Sequence, residues 1–176
     1  MEIRLLEARD EAAVDHFLDR IPAGDRTFFK EDVDDPDVRA AWFRPGTARF
    51  LALEGEEVVG YVAVVPLTSW SSHVGELRVI VDPEHRGRGI GQALTRRSLL
   101  EALQLGLTKM VIEVIADQES RVEMFRALGF VPEALLADHV RDQGGRLHDL
   151  MVLAHSVEDA QAALAVAGIQ DGLEAG

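Results

Sequence analysis

Residues 79–94 read VIVDPEHRGRGIGQAL, and this stretch decides how the rest of the chain is interpreted. Its apolar residues followed by Asp82-Pro83 indicate the end of a β-strand. A turn rich in glycine and arginine comes next, and the pattern from Ile90 onward predicts a helix. Glycines let an anion approach the backbone, and the N–H groups and dipole of a helix N-terminus attract it. The stretch therefore predicts a binding site for phosphate, and a diphosphate suits it better than a single anion.

Two other phosphate-binding motifs fail on their spacing. The dinucleotide pattern G-x-G-x-x-G needs a third glycine, but counting from Gly87 places Gln92 at that position. Counting from Gly89 places Leu94 there. The Walker pattern fails because no Gly-Lys-Ser or Gly-Lys-Thr occurs in the chain. A purely structural turn between a strand and a helix is the remaining alternative.

Outside this stretch the chain is acidic. Its 31 acidic and 18 basic residues give a net charge of −13, which argues against a general nucleic-acid binder. Residues 78–97 nevertheless hold five arginines against Asp82 and Glu84, a net of +3, which indicates one place for an anionic ligand. The absence of cysteine excludes disulfides, thiolate metal sites and a cysteine nucleophile. With no apolar run long enough to span a bilayer and no signal peptide, we expect a cytoplasmic protein.

The predicted elements follow the order strand, helices, three strands, helix, strand, helix and two strands, which describes an α+β domain. Apolar and alternating segments predict strands at residues 2–6, 49–53, 58–65, 74–81, 109–115, 130–140 and 147–153. Helices are predicted at residues 8–18, 38–43, 90–105 and 117–128. We expect one domain at residues 1–155. Ser156 opens an alanine-rich helix to Gly168, so residues 156–176 form a C-terminal helix and tail of the same domain.

Two motifs carry a resemblance to a known family. Arg86-x-x-Gly89-x-Gly91 after a Val-Asp-Pro strand end resembles the acyl-CoA motif of the GNAT superfamily of N-acetyltransferases, Q/R-x-x-G-x-G/A. Residues 124–130, MFRALGF, are similar to that family's second motif, L-Y-x-K-L-G-F. The element order also fits over residues 2–154. The resemblance implies the GNAT fold, a mixed and mostly antiparallel sheet of six to seven strands with a splayed central strand pair, flanked by helices.

The resemblance further implies acetyl-CoA as co-substrate, without a metal. The backbone of residues 79–81 would pair with the pantetheine arm, and the amides of residues 87–92 would hold the pyrophosphate. The thioester would enter the gap between strands 74–81 and 109–115, where a backbone N–H polarises its carbonyl. The cofactor-binding residues that the resemblance implies are Val79, Ile80, Val81, Arg86, Gly87, Arg88, Gly89, Ile90, Gly91, Gln92, Gln118 and Phe125.

Two of these positions depart from the family pattern. Phe125 stands where many members have the tyrosine that protonates the leaving thiolate, and Gln118 replaces the usual asparagine. The amide of Gln118 could still hydrogen-bond the cofactor. Because the unperturbed pKa of a thiol is about 8.5, the thiolate leaves without much help. Water, Tyr61 or His139 could supply the proton instead.

Two glutamates inside apolar strand segments are candidate catalytic bases, Glu76 and Glu113. Amine acetylation needs a neutral amine, so a group must take a proton from the ammonium near pH 7. A carboxylate within an apolar run is costly unless it is partnered, and burial raises its pKa. The resemblance places a base at either position in different members. The alternative is a glutamate that faces solvent or pairs with Arg78.

Other residues have two interpretations each. The acidic run at residues 31–37 is either a solvated face or an attractor for a cationic acceptor such as a polyamine, an aminoglycoside or a peptide N-terminus. The histidines show no metal-ligand spacing, so no metal site is expected. Trp42 and Trp70 are interpreted as core or dimer contacts, with Trp70 also a candidate neighbour of the cleft near Glu113.

The sequence thus predicts an N-acetyltransferase that moves an acetyl group from acetyl-CoA to a primary amine of a small molecule, peptide or protein. Direct attack in a ternary complex is expected, because no cysteine can form a covalent intermediate. The alternative is a catalytically weak acyl-CoA sensor or regulatory module, which Phe125 favours. We expect no nucleic-acid or membrane partner, and a homodimer on family grounds.

Overall fold

A seven-stranded sheet organises the chain, of which the computed structural model describes residues 1–26, 29–44 and 47–157. The strands are β1 (Glu2–Leu5), β2 (Ala48–Glu54), β3 (Glu57–Pro66), β4 (Val74–Val81), β5 (Lys109–Ile115), β6 (Val131–Arg141) and β7 (Leu147–Ser156). The helices are α1 (Glu11–Arg20), α2 (Ala23–Arg26), α3 (Pro36–Trp42), α4 (Ile90–Gln104) and α5 (Glu119–Ala127). Three short 3₁₀ turns are Ala8–Asp10, Ser69–Ser71 and Pro83–His85.

The strand order is β1-β2-β3-β4-β5-β7-β6. Every neighbouring pair is antiparallel except β4 and β5, which are parallel and joined through α4. A parallel pair needs a crossover connection, and a helix is the usual one. The mixed, mostly antiparallel α+β fold predicted from the sequence is therefore confirmed.

The parallel pair separates along its length. β4 and β5 are paired only at Val74–Lys109, Gly75–Met110 and Glu76–Val111. Past these positions β4 stays paired with β3 as far as Val81, and β5 stays paired with β7 as far as Ile115. Each strand is thus held by its outer neighbour while the two diverge. The predicted splayed strand pair is confirmed, and it leaves a gap in the middle of the sheet.

The two faces of the sheet carry separate cores. On one face α4 and α5 pack on β2 to β5 through residues such as Leu94, Val62 and Phe125. A Cβ added to Gly60 would lie 2.9 Å from Leu94 Cδ1, so α4 sits close against β3 because this position is glycine. On the other face α1 packs on β2 and β3 around Phe17 and Tyr61. The gap between β4 and β5 therefore opens between two packed layers.

Several predicted details needed adjustment. The helix expected at residues 8–18 begins with a 3₁₀ turn and becomes α-helical from Glu11 to Arg20. The Asp10 carboxylate accepts from the Glu7 N–H at 2.9 Å and pairs with Arg4 at 2.7 Å, which fixes that tighter first turn. Ser156, the predicted start of the C-terminal helix, instead ends β7, and the rest of that prediction, from residue 158 onward, lies outside the described residues.

The two tryptophans have opposite environments. Trp42 is 1% exposed and stacks on Tyr61 with ring centroids 4.5 Å apart, so its interpretation as a core residue is confirmed. Trp70 is 93% exposed in the turn before β4 and does not line the cavity, so its interpretation as a core residue and its placement beside the cleft were both wrong. In the part of the chain that the structure describes, no helix combines the length and apolarity needed to cross a membrane.

Candidate active site

A cavity of about 980 Å³ extends from the turn before α4, across the gap between β4 and β5, to a group of charged side chains. This volume is at the upper end of the range for ligand sites, about 300–1,000 Å³. All residues predicted to bind the cofactor line the cavity except Arg88, whose guanidinium instead lies 3.6 Å from the Glu54 carboxylate. Both candidate bases lie in this region, with Glu113 in the lining and Glu76 in contact with it through Lys30.

The turn at residues 82–89 is shaped by two glycines in the left-handed region. Gly87 has φ +76° and Gly89, the N-cap of the fifteen-residue helix α4, has φ +80°. Residues with a Cβ adopt this conformation only with strain. A Cβ at either glycine would meet nothing within 4 Å, so the space in front of the turn is open. The first N–H groups of α4 have no partners within the helix, and residues 89–92 line the cavity.

A buried carboxylate fixes this turn to the rest of the fold. Asp82 is 2% exposed and accepts hydrogen bonds from Arg20 Nε at 2.8 Å and from the Glu84 N–H at 3.0 Å. Burial alone would raise the pKa of Asp82, but the Arg20 guanidinium and the Glu84 N–H outweigh it and hold the pKa below its ordinary value. Arg20 also donates to the Val58 carbonyl at 2.6 Å, so β3, α1 and the turn are tied together.

Arginines surround the open space at the turn. Arg86 forms an ion pair with Asp25 of α2. Arg121 of α5 lines the cavity and donates to Gln118 Oε1 at 2.9 Å. Burial and, to a smaller extent, the like charge of Arg86 lower the pKa of the Arg121 guanidinium. The turn therefore combines backbone donors, a helix dipole and two guanidinium groups, an arrangement that suits an anionic ligand.

At the other end of the cavity one lysine bridges the two candidate bases. Lys30 Nζ lies 2.8 Å from Glu113 Oε2 and 3.0 Å from Glu76 Oε2. Glu76 pairs with Val111, and Glu113 lies two residues further along β5, so both carboxylates project from the same face of the sheet at the point where β4 and β5 separate. The glutamates thus hold a primary ammonium at the closed end of the gap.

The charged group continues along the same face. Arg78 contacts Glu76 at 2.7 Å and Glu31 at 2.8 Å. Arg49, which is 8% exposed, pairs with Glu31 at 2.9 Å and donates to the Tyr61 hydroxyl. Burial would raise the pKa of Glu31, but Arg49 and Arg78 lower it overall. Three carboxylates therefore face three cations, and we call the residues Lys30, Glu31, Arg49, Glu76, Arg78 and Glu113 the charge network.

The two residues considered as proton donors differ in setting. Tyr61 is 1% exposed, and burial raises its pKa, so its hydroxyl keeps its proton. His139 lines the cavity from an irregular part of β6, where the register with β7 shifts and Asp138 has φ +51°. The Asp138 N–H donates to Asp149 Oδ1 at 2.9 Å, which holds this bulge in place.

Phe125 is 3% exposed and lines the cavity. Its ring packs edge-on against that of Phe130, with the ring centroids 5.6 Å apart.

The acidic run at residues 31–37 was interpreted either as a solvated face or as part of the acceptor site, and each interpretation applies to some of its members. Of its members only Glu31 lines the cavity. Asp35 caps α3 by accepting from the Asp37 N–H at 2.9 Å, and exposed Asp34 pairs with Arg26 at 2.8 Å.

Lys30, Arg49 and Arg121 are site residues that sequence reasoning missed. Arg49 alone had a signal, because a charged residue inside the apolar segment of β2 needs a buried partner. Within the described ranges no cluster of histidine and acidic side chains has the arrangement to hold a metal ion.

Comparison with known proteins adds independent findings. The sequence profile of the acetyltransferase (GNAT) family matches residues 13–130. The chain is 28% identical over 165 residues to the L-amino acid N-acyltransferase of Escherichia coli K12, covering 90% of this chain and 95% of that protein. It is 26% identical over 168 residues to the L-methionine sulfoximine/L-methionine sulfone acetyltransferase of Salmonella typhimurium, covering 90% and 96%.

Solved structures share the fold. One is a protein described as an acetyltransferase, from Salmonella typhimurium with its cofactor acetyl-CoA, with a TM-score of 0.74 and 23% identity over 89% of this chain and 93% of that one. The ribosomal-protein-alanine N-acetyltransferase of Brucella melitensis has a TM-score of 0.76 and 23% identity over 89% and 99%.

Proposed function

The chain belongs to the acetyltransferase (GNAT) family, and from that premise we propose that it transfers an acetyl group from acetyl-CoA to the primary amine of a free amino acid or a close analogue. As a member of this family it is an acyltransferase. The choice of acceptor, the route of the reaction and the role of each residue are the proposal. One observation carries it: the gap between β4 and β5 ends at two carboxylates that already hold a primary ammonium.

The cavity has the features that acetyl-CoA needs. The open space in front of Gly87 and Gly89 and the N-terminus of α4 fit a pyrophosphate, with Arg86 and Arg121 beside it. The edge of β4 at residues 77–80 has no β5 partner, so the backbone groups on that edge can pair with an extended amide-bearing chain such as pantetheine. When bound, acetyl-CoA supplies an acyl group activated as a thioester.

The glutamates prepare the acceptor amine. Glu113 or Glu76 accepts a proton from the acceptor ammonium, directly or through water, and leaves a neutral amine that can attack. A backbone N–H at the freed edge of β4 polarises the thioester carbonyl. Holding both reactants in one rigid gap supplies much of the acceleration by proximity, so attack is direct and occurs in a ternary complex.

The proposed acceptor class rests on two supports. Two relatives that align along almost their whole length are named for acting on an L-amino acid and on amino acid analogues. The charge network offers a place for each charge of such a molecule. Glu76 and Glu113 suit its ammonium, and Arg78, which lines the cavity beside Glu76, suits its carboxylate.

The leaving thiolate needs little assistance in this proposal. Phe125 has no proton to give, and Tyr61 retains its own because it is buried. His139 and solvent both reach the cavity and are the donors we propose. The cytoplasmic location and the homodimer remain predictions.

A two-part assay tests this function. Acetyl-CoA is first added to the protein in a thermal-shift measurement, and an amine panel is then screened for release of free thiol. We expect a rise in melting temperature with acetyl-CoA and thiol release with L-amino acids, including L-methionine sulfone. Stabilisation by acetyl-CoA without thiol release from any amine would support the sensor alternative. Release with polyamines or peptides alone would overturn the proposed acceptor class.

A further inference from the structure

We propose that the enzyme acetylates its own Lys30, so that this lysine is a modification site inside the cleft. The inference rests on the proposed function, because it uses the same acetyl donor and the same carboxylates. Its substrate is a side chain of this protein in place of a free amine. It follows from where the structure puts the Lys30 nitrogen.

Lys30 occupies the position that an acceptor amine requires. Its Nζ is 2.8 Å from Glu113 and 3.0 Å from Glu76, the two candidate bases. It lines the same cavity as the strand edge at residues 77–81 and residues 85–87 and 89 of the turn before α4. We call this turn, residues 82–89, the phosphate turn after its proposed ligand. The gap between β4 and β5 opens immediately beyond Glu76, so the Lys30 nitrogen lies at the end of the gap that the thioester is proposed to enter.

The composition of the chain makes this placement unusual. Only two of the 18 lysine and arginine residues are lysines, Lys30 and Lys109. Arginine is effectively always protonated and cannot attack a thioester, whereas a lysine amine attacks once it has given up a proton, and Lys30 contacts two carboxylates that can accept that proton. The charge network therefore contains one nucleophile among its three cations, and that nucleophile is in contact with both bases.

The step balances without any further reactant. The Lys30 ammonium gives one proton to a glutamate carboxylate, which passes it to solvent. The neutral Nζ forms a bond to the carbonyl carbon as the C–S bond breaks, and the nitrogen loses its second proton to the departing thiolate. The products are Nε-acetyl-Lys30 and free CoA. Lys30 then carries no charge, and Glu76 and Glu113 lose the cation that they share.

Lys109 provides a matched control within the same chain. Its side chain is 36% exposed against 38% for Lys30, so solvent exposure alone predicts equal modification. Lys109 pairs with a single carboxylate, Glu133, at 2.7 Å, at the start of β5 and outside the cavity. Any large difference in rate between the two lysines must therefore come from the cleft.

The test is a time course of peptide mass spectrometry on the purified full chain incubated with acetyl-CoA. We expect Lys30 to gain one acetyl group about 100-fold faster than Lys109, because the cleft holds the amine beside the donor. The rate per molecule should be independent of protein concentration, and urea-unfolded protein should lose the difference. The substitutions Glu113→Gln and Glu76→Gln should slow Lys30 acetylation, whereas Glu133→Gln should not.

Equal, slow modification of both lysines would overturn the inference, as would a Lys30 rate that rises with protein concentration. The same samples are assayed for binding of acetyl-CoA and for acetylation of the amine panel. If the protein acetylates free amines while Lys30 stays unmodified, only this inference fails. If acetyl-CoA does not bind, the proposed function fails with it.

Discussion

At one end of the cavity the turn before α4 presents backbone N–H groups held by Gly87, Gly89 and buried Asp82. At the other end the charge network presents side chains from four separate parts of the chain. The first end is defined by backbone conformation, so it depends on which residues lack a Cβ and on where a helix begins. The second end is defined by charges that balance one another, so its properties change when any member is replaced. The contrast predicts that substitutions at the two ends will have different kinds of effect.

The largest effect is expected for the candidate bases. Replacing Glu113 or Glu76 by glutamine removes a proton acceptor, and we expect kcat/KM to fall by about 100-fold or more in at least one variant. That variant must rely on the small fraction of neutral amine, so its rate should rise about tenfold per pH unit below the pKa of the acceptor.

The control for these variants is Glu133→Gln, which changes a glutamate of the same sheet outside the cavity. Steady-state rates of the three variants are measured between pH 6 and 9, a range in which glutamate is ordinarily ionised. If both cavity variants keep more than half of the wild-type rate, the proposed role of these glutamates as bases is contradicted.

Asp82→Asn tests the support beneath the phosphate turn. The variant keeps the shape of the side chain but removes the charge that Arg20 and the Glu84 N–H stabilise. We expect the free energy of unfolding to fall by about 2 kcal/mol, roughly 30-fold in the unfolding equilibrium. Urea denaturation of both proteins measures this difference.

The same pair of proteins has a predicted pH dependence. Because the pKa of Asp82 is lowered in the folded state, its contribution is fully present above the unfolded pKa, about 3.9. The contribution is lost as pH falls through the folded value. The two unfolding curves should therefore differ by a constant amount above about pH 5 and converge below about pH 4. A difference that grows in acid would contradict this assignment.

Gly89→Val tests the backbone-built end directly. Valine in the left-handed conformation is strained by about 1–3 kcal/mol, and its side chain enters the open space in front of the turn. We expect acetyl-CoA to bind about tenfold more weakly, measured by calorimetry. Gly106→Val is the matched control, since Gly106 follows the other end of α4 with φ +69° and an equally open surround. Equal loss of affinity in both variants would show that strain in α4, and not the turn, is responsible.

The smallest effect is expected for Phe125→Tyr, which restores the hydroxyl typical of the family motif. Because a thiolate with a pKa of about 8.5 leaves without much help, kcat should rise by no more than about threefold. Phe125→Leu controls for loss of the ring packing against Phe130. A rise of about tenfold or more with tyrosine would mean that protonation of the leaving group limits the natural enzyme.

The two ends also differ in how far the sequence alone predicts them. The phosphate turn is contiguous, and its glycine spacing reflects backbone conformation directly, so its residues could be assigned before the structure. Glu76 and Glu113 were found as charges inside apolar strands, and the register places them on one face. Arg49 carries the same signal, but the sequence does not identify its partner Glu31, 18 residues away. Lys30 carries no such signal, and its partner Glu113 is 83 residues away. Only tertiary packing brings those charges together.

The most direct test of the central claim is a crystal structure of the protein with acetyl-CoA. The account predicts the pyrophosphate against the backbone N–H groups of residues 87–92 and the pantetheine arm along β4 in the gap. It places the acetyl carbon in the gap next to the amine position between Glu76 and Glu113, which Lys30 Nζ occupies. Acetyl-CoA bound on another face of the sheet, or a gap closed by continuous pairing of β4 with β5, would contradict it.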